Sequence, residues 1–154
     1  MTDEQDYHEL INAHLGGYNR VMGLQFVKAT IDEVCAELEI TDAHKQPYGL
    51  VHGGVHAGIV ETLCSVGAAL NTFAEGRATV GLENSTSFLR AVRQGKLHGR
   101  ATPVTKGRRT HVWQAEIRDD DGKLVATGRV RTLCLEPGAA VAGEQPRIES
   151  PADV

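Results

Sequence analysis

The hydrophobic pattern of this chain is dominated by one long apolar segment that runs from Gln46 to Phe73. Large apolar residues recur there every three or four positions, at Val55, Ile59, Leu63, Val66, Leu70 and Phe73. That spacing is the period of an α-helix. The opposite side carries Ala57, Cys64 and Ala68, so the helix is apolar almost all round. Such helices are usually buried on all sides, and we therefore expect the rest of the chain to pack around it.

Alternation of apolar and polar positions, which is the period of a β-strand, predicts strands on both sides of this helix. The predicted strands cover residues 24–31, 34–41, 79–89, 96–104, 110–118 and 123–135. The turn sequence Asp119-Asp120-Asp121-Gly122 marks a hairpin between the last two. We predict an α+β fold in which an antiparallel sheet of five to six strands wraps around one long central helix.

The length of 154 residues fits a single domain. We predict an N-terminal helical segment at residues 1–20 and the main domain at residues 21–135. Residues 136–154 are rich in Pro, Gly and Ala, and we expect a disordered tail there. Because a sheet can cover only part of the central helix, we expect a second subunit to cover the remaining face. The alternative is that the N-terminal helix covers it.

Composition and charge exclude several classes of protein. A net charge of −4 supplies no basic field for general nucleic-acid binding. The first ten residues lack the basic start and apolar block of a signal peptide, and we find no apolar run of about eighteen residues that would span a membrane. The three cysteines are widely spaced, so neither a disulfide framework nor a metal site is indicated. We expect a cytoplasmic protein that binds neither nucleic acid nor membrane.

The apolar helix contains one carboxylate, Glu61, with Ser65 one turn later on the same face. A charge buried in such a helix is costly unless a partner neutralises it or a reaction uses it. Glu61 is therefore our first candidate for chemistry. The alternative is a buried salt bridge, for instance with an arginine.

Two segments resemble the hotdog-fold acyl-CoA thioesterases of the PaaI-like group: HGGVHAGIVETLCSVGA at residues 52–68 and the strand region at residues 80–135. The similarity extends roughly from Gly16 to Leu135 and is greatest to the enzymes that hydrolyse 4-hydroxybenzoyl-CoA and 1,4-dihydroxy-2-naphthoyl-CoA. It implies a hotdog domain over residues 21–135 and hydrolysis of an acyl-CoA. Ser87 departs from the pattern, since the naphthoyl branch often has histidine there.

The resemblance also implies site residues. Glu61 matches the catalytic acid, Gly53 the glycine whose amide faces the thioester oxygen, and Gln46 a glutamine that orients the substrate. Ser65 matches the hydroxyl residue that holds water, and His52 the histidine of the HGG motif. In the family each site is built across a dimer interface. We therefore expect a homo-oligomer, with a homotetramer of two hotdog dimers as the expected assembly.

The chemistry of a thioester fits the start of this helix. The first amides of a helix lack intrahelical partners, so those of Gly53 and Gly54 can stabilise an oxyanion. Glu61 can attack the carbonyl or activate water. The alternative for the glycines is a tight turn into the helix. His52 is either a general base or a residue that orients the loop, His56 is expected to be structural or at an interface, and His111 is expected to face solvent.

A basic cluster, Lys106-Gly107-Arg108-Arg109, stands out in an acidic chain, and Arg90 precedes it by one strand. Arginine matches phosphate oxygens geometrically, and CoA carries three phosphates. Together with Gly54 and Ser87, these residues are our candidates for binding substrate and CoA; the alternative is a solvated hairpin. No cofactor is expected beyond the CoA of the substrate. The other functions considered are a non-catalytic acyl-CoA sensor and an enoyl-CoA hydratase or dehydratase.

Overall fold

The computed structural model describes residues 5–147 of the chain. The helices are α1 (His8–Ala13), α2 (Gly17–Met22) and α3 (Gly53–Leu70), and short 3-10 turns cover Asp42–His44 and Phe73–Glu75. The strands are β1 (Leu24–Ala29), β2 (Val34–Glu39), β3 (Thr79–Phe88), β4 (Lys96–Lys106), β5 (Thr110–Arg118) and β6 (Leu124–Cys134). Every predicted strand is confirmed, with end points that agree to within two residues.

Within residues 5–147 the six strands form one antiparallel sheet in the order β1-β2-β4-β5-β6-β3. β4, β5 and β6 form a meander, which leaves β3 at the far edge although it precedes them in the chain. The helix α3 packs against this sheet and contacts all of these strands. The arrangement is the predicted α+β hotdog fold.

The helix α3 buries one face against the sheet. Ile59, Val60 and Leu63 are at most 1% exposed. Gly99 of β4 allows the helix to approach closely, because a Cβ there would lie 2.6 Å from the Leu63 side chain. The face that carries Glu61 is only half-buried. The expectation of burial on all sides is therefore wrong for a single chain, because the sheet covers only part of the helix.

By length and composition alone, α3 is long and apolar enough to cross a membrane, with a mean hydropathy of 1.3 over its 18 residues. We singled out no such segment from the sequence, and the core helix of a soluble protein meets the same criterion. The position of α3 explains its apolarity, because a helix packed against every strand of the sheet needs apolar residues on the covered face.

The N-terminal segment closes the outer edge of β1. The Asp6 carboxylate accepts a hydrogen bond from the Ala29 amide at 2.8 Å. The Asn12 side chain accepts one from the Phe26 amide at 2.9 Å and donates one to the Phe26 carbonyl at 2.8 Å. The helix α2 instead packs on α3, where the Thr62 hydroxyl donates to Asn19 at 2.9 Å. Residues 1–4 of the predicted helical segment lie outside the described residues.

The opposite edge, β3, has no such cover. Among the described residues, backbone hydrogen bonds to β3 come from β6 alone. Most of β3 is exposed, including the side chain of Phe88 at 58%. Past β6, the chain pairs Val141 with Glu144 in an isolated bridge. Residues 148–154 lie outside the described residues, and the disordered tail stays a prediction.

Candidate active site

A tight turn holds Gln46 in front of α3. Its amide donates to the Leu50 carbonyl at 2.8 Å, and Gly49 reverses the chain with φ of +77°. The side-chain oxygen of Gln46 accepts a hydrogen bond from the Tyr48 amide. Its side-chain nitrogen has no partner among residues 5–147, so this nitrogen is available to donate a hydrogen bond to a ligand.

His52 caps the first turn of α3. Its Nδ1 accepts a hydrogen bond from the Gly54 amide at 2.8 Å, and its carbonyl accepts one from the Val55 amide at 2.9 Å. The Nδ1 lone pair is thereby occupied, which favours the loop-orienting interpretation of His52. The Gly54 amide is also committed. The Gly53 amide is then the first helical N–H that has no acceptor in the described part of the chain.

A cavity of about 290 Å³ lies against Gly53. It is lined by Gln46, Leu50, Val51, Gly53, His56, Phe88, Leu89, Arg90 and Ala91. A Cβ on Gly53 would lie 2.8 Å from the Phe88 ring, so glycine is what allows this ring to pack on the helix start. The Arg90 guanidinium has no ion-pair partner among residues 5–147. A free amide and a free cation at one cavity favour a ligand group that carries or develops negative charge.

His56 forms part of the wall of this cavity and is 3% exposed. Its ring centroid lies 6.1 Å from that of Phe88. Burial lowers the pKa of the imidazole, because the charged form loses its hydration. Burial therefore favours the neutral form of a ring that lines the same cavity as Gly53. Its Nδ1 has no hydrogen-bond partner within residues 5–147.

Glu61 lies about two turns beyond Gly53 on the half-buried face of α3. The Ser65 hydroxyl donates to one carboxylate oxygen at 3.2 Å, as the spacing on the helix predicts, and Asn84 Nδ2 donates to the other at 3.0 Å. Glu61 takes part in none of the ion pairs formed by the described residues. The buried salt bridge that we considered is thus not seen there, and the two side chains that donate to the carboxylate are neutral.

Glu61 and the Gly53 amide are too far apart within one chain to act on one thioester. They are eight positions apart on the helix, which is a rise of about 12 Å. The carbonyl carbon and oxygen of a thioester are bonded neighbours, so both groups cannot contact them at this separation. One chain therefore contains both functional groups but does not bring them together.

The basic cluster lies at the other end of α3, around a second cavity of about 410 Å³. This cavity is lined by Asn71, Thr72, Glu75, Arg77, Lys106, Gly107, Arg108 and His111. Lys106 pairs with Asp32, whereas the Arg108 side chain has no partner among residues 5–147. Arg109 is exposed and does not line this cavity. Arg90 lies at the opposite end of the helix, about 26 Å away along its axis, so the predicted CoA-binding residues form two separate groups.

The structure contradicts the expectation that His111 faces solvent. The sequence pattern predicted a solvent-facing side chain, but His111 is 5% exposed. It alternates with Trp113 and Ala115 on the buried face of β5. Burial, reinforced by the nearby charge of Lys106, lowers the pKa of this imidazole.

Sequence reasoning overlooked the face of β3 that points toward α3. Asn84 and Phe88 lie on that face, whereas Ser87 lies on the opposite one because strand neighbours alternate. Ser87 does not line either cavity described above. The period of two links Asn84 to Phe88 and could have identified them as a pair. A bulge between Gly81 and Glu83 breaks this alternation, and the sequence pattern did not show it.

Comparisons with known proteins agree with this geometry. A sequence model of the thioesterase superfamily matches residues 48–126. The 1,4-dihydroxy-2-naphthoyl-CoA hydrolase of Escherichia coli is 35% identical over 129 residues, which cover 82% of this chain and 93% of that protein. The proofreading thioesterase EntH of Cronobacter turicensis is 34% identical over 128 residues, with 82% and 93% covered. The solved structure of the Mycobacterium tuberculosis protein Rv1847 superposes with a TM-score of 0.78 at 35% identity, covering 80% of this chain and 100% of that one.

Proposed function

The chain belongs to the thioesterase superfamily and is a thioester hydrolase, and from this premise we propose that it hydrolyses an aryl- or medium-chain acyl-CoA to the free acid and CoA. The observation that carries the proposal is Glu61, a carboxylate in the central helix that is held by neutral donors and by no cation of the described residues. The cavity at Gly53 supports an apolar acyl group, because Val51, Phe88 and Leu89 line it. No cofactor is needed beyond the CoA of the substrate.

In the proposed reaction the Gly53 amide donates a hydrogen bond to the thioester oxygen as negative charge develops there. The Glu61 carboxylate either attacks the carbonyl carbon to form a mixed anhydride, or takes a proton from an attacking water. In either route the bond between the carbonyl carbon and sulfur breaks and the CoA thiolate leaves. A water held by Ser65 then cleaves the anhydride and regenerates the Glu61 carboxylate in the first route, and attacks the thioester directly in the second. Gln46 orients the acyl group through its free nitrogen. His52 fixes the loop that presents Gly53.

A second subunit would bring the separated groups together. Along β3, Gly81 lies against Glu61 and Phe88 lies against Gly53. An antiparallel pairing of two β3 edges, with its two-fold axis at Ser85, would set Gly81 opposite Phe88 of the partner subunit, because the bulge after Gly81 adds one residue to the count. Glu61 would then lie beside the partner's Gly53. The uncovered edge and the half-buried face of α3 both support this arrangement.

The same two-fold axis would unite the two groups of basic residues. Because the two α3 helices would run antiparallel, the cluster Lys106-Gly107-Arg108-Arg109 of one subunit would approach Arg90 of the partner subunit. Phosphates of CoA would bind between them, with Gly54 and Ser87 as further candidate contacts. We extend the proposal to a cytoplasmic homotetramer of two such dimers. In support, the cysteines of the described residues are free, and large apolar side chains such as Val21 remain 86% exposed.

The test is release of free thiol from a panel of CoA thioesters: benzoyl, hydroxybenzoyl, phenylacetyl, naphthoyl and straight-chain. Glu61→Gln is expected to lower kcat by about a hundredfold to ten-thousandfold while the protein stays folded. The matched control is Glu116→Gln on the exposed face of β5, where the carboxylate pairs with Arg118 at 2.8 Å. Wild-type turnover in the Glu61→Gln enzyme, or binding of CoA thioesters without release of thiol, would refute the proposal.

A further inference from the structure

Two side chains hold the Glu61 carboxylate, and one of them comes from the sheet. Ser65 reaches one oxygen from the same helix at 3.2 Å. Asn84 reaches the other from β3 at 3.0 Å. We propose that Asn84 is a positioning residue for thioester hydrolysis, and that it acts by fixing the carboxylate of Glu61 in its reactive orientation. This inference rests on the proposed function of Glu61.

The orientation of the Asn84 amide is fixed by its other contacts. The Thr86 hydroxyl donates to the Asn84 side-chain oxygen at 2.6 Å. Asn84 Nδ2 therefore points toward α3, where it donates both to Glu61 and to the Ala57 carbonyl at 3.0 Å. With the amide reversed, its oxygen would face the carboxylate and the carbonyl, which are both acceptors. A single orientation satisfies all of these groups.

The backbone leaves little freedom for the carboxylate. A Cβ on Gly81 would lie 2.7 Å from the Glu61 oxygen that Ser65 also contacts. Strand β3 therefore packs directly on the carboxylate at Gly81 and bonds to it at Asn84. Because both donors are neutral, Glu61 is held without an ion pair that would neutralise the charge needed for attack or proton transfer.

Positioning of this kind is expected to affect turnover more than binding. A shift of about 1 Å in a reacting group can lower a rate by about a hundredfold. Asn84→Ala removes the donor and should lower kcat by about tenfold to a hundredfold, with KM within about twofold because the proposed CoA contacts do not include Asn84. Asn84→Asp keeps the shape and the bond from Thr86 but sets a second carboxylate against Glu61, so it should lower kcat at least as much.

A double-mutant cycle tests the inference. Asn84→Ala is measured in the wild-type and in the Glu61→Ala background, with dimer content and unfolding followed in all four proteins. A residue that acts through Glu61 lowers kcat in the first background and leaves the residual rate unchanged in the second. Unchanged kcat in the first background, or an equal loss in both backgrounds, would overturn the inference. If Glu61→Ala itself keeps full activity, the proposed function fails, and that result is distinct from either of these.

Discussion

The two edges of the sheet differ in whether their outer backbone groups have hydrogen-bond partners. At β1, Asn12 bonds to both backbone groups of Phe26, and Asp6 bonds to the Ala29 amide. Side chains from the N-terminal segment thus satisfy that edge. At β3, no described residue outside β6 contributes a backbone hydrogen bond. An exposed edge of ten residues is a ready template for another strand.

The open edge is also where the candidate catalytic groups lie. Glu61, Asn84 and Gly81 meet at the open edge, and so do Gly53 and Phe88. None of these residues lies at the closed edge. A chain that protects one edge and leaves the other open next to its candidate carboxylate is suited to complete its site with a second copy. The predictions below compare these edges directly.

The largest effect on assembly is expected from a charge on the open edge. Ser85→Lys would bring two lysines together near the proposed two-fold axis, and juxtaposed like charges cost several kcal/mol, so dimer association should weaken by about a hundredfold. Activity per chain should fall with the dimer fraction. Sedimentation velocity and thiol release measure the two effects. Gln25→Lys on the exposed face of β1 is the matched control and should change neither; equal behaviour of the two variants would contradict the contrast between the edges.

The sequence predicts most of this fold because the fold depends on local periodicity. The spacing from Val55 to Leu70 marks α3, and alternation marks every strand. It also indicates Glu61, because one acid in an apolar helix is conspicuous. Strand order cannot be read in this way: nothing in the local pattern of β3 states that it pairs with β6 rather than with β4.

Several site details depend on contacts between distant segments and were therefore missed. A bulge after Gly81 places Asn84 on the face of β3 that points toward Glu61, to which its side chain donates a hydrogen bond. The polar side chain of His111 suggested an exposed position. The alternation with Trp113, which is buried on the same face of β5, indicated the correct, buried position. Arg90 and Arg108 are far apart because they lie at opposite ends of α3. Their positions in the sequence do not show which end of the helix each one approaches.

A smaller effect is expected at the far end of α3. The Arg108 guanidinium has no partner in the described residues, so it is free to pair with a phosphate of CoA. An exposed ion pair of this kind contributes about 1 kcal/mol to binding. Arg108→Ala should therefore raise KM for CoA thioesters by about fivefold with kcat maintained. Arg118→Ala, at the opposite end of β5, where Arg118 pairs with Glu116 at 2.8 Å, serves as the control. An unchanged KM in Arg108→Ala would favour an ordinary solvated hairpin.

The smallest effect on activity is expected at the closed edge. Asn12→Ala leaves the amide and carbonyl of Phe26 without their side-chain partner, and we expect a loss of about 1 kcal/mol in the free energy of unfolding. Asn12→Asp keeps an acceptor for the Phe26 amide and should lose less. Urea unfolding measures both variants. Turnover should stay at the wild-type value, and a loss of turnover without a loss of stability would show that this edge also serves the site.

Complementation between two inactive variants tests the shared site most directly. Glu61→Gln removes the carboxylate, and Gly53→Pro removes the amide donor. Proline suits the first helical position, and His52 already has a compatible ψ of 136°. Gly53→Ala, which adds a Cβ but keeps the amide, controls for contact with Phe88. If each site takes Glu61 from one subunit and Gly53 from the other, equal mixing with subunit exchange should restore about a quarter of the wild-type activity. Activity that stays at the level of the two separate variants would contradict a site built across the β3 edges.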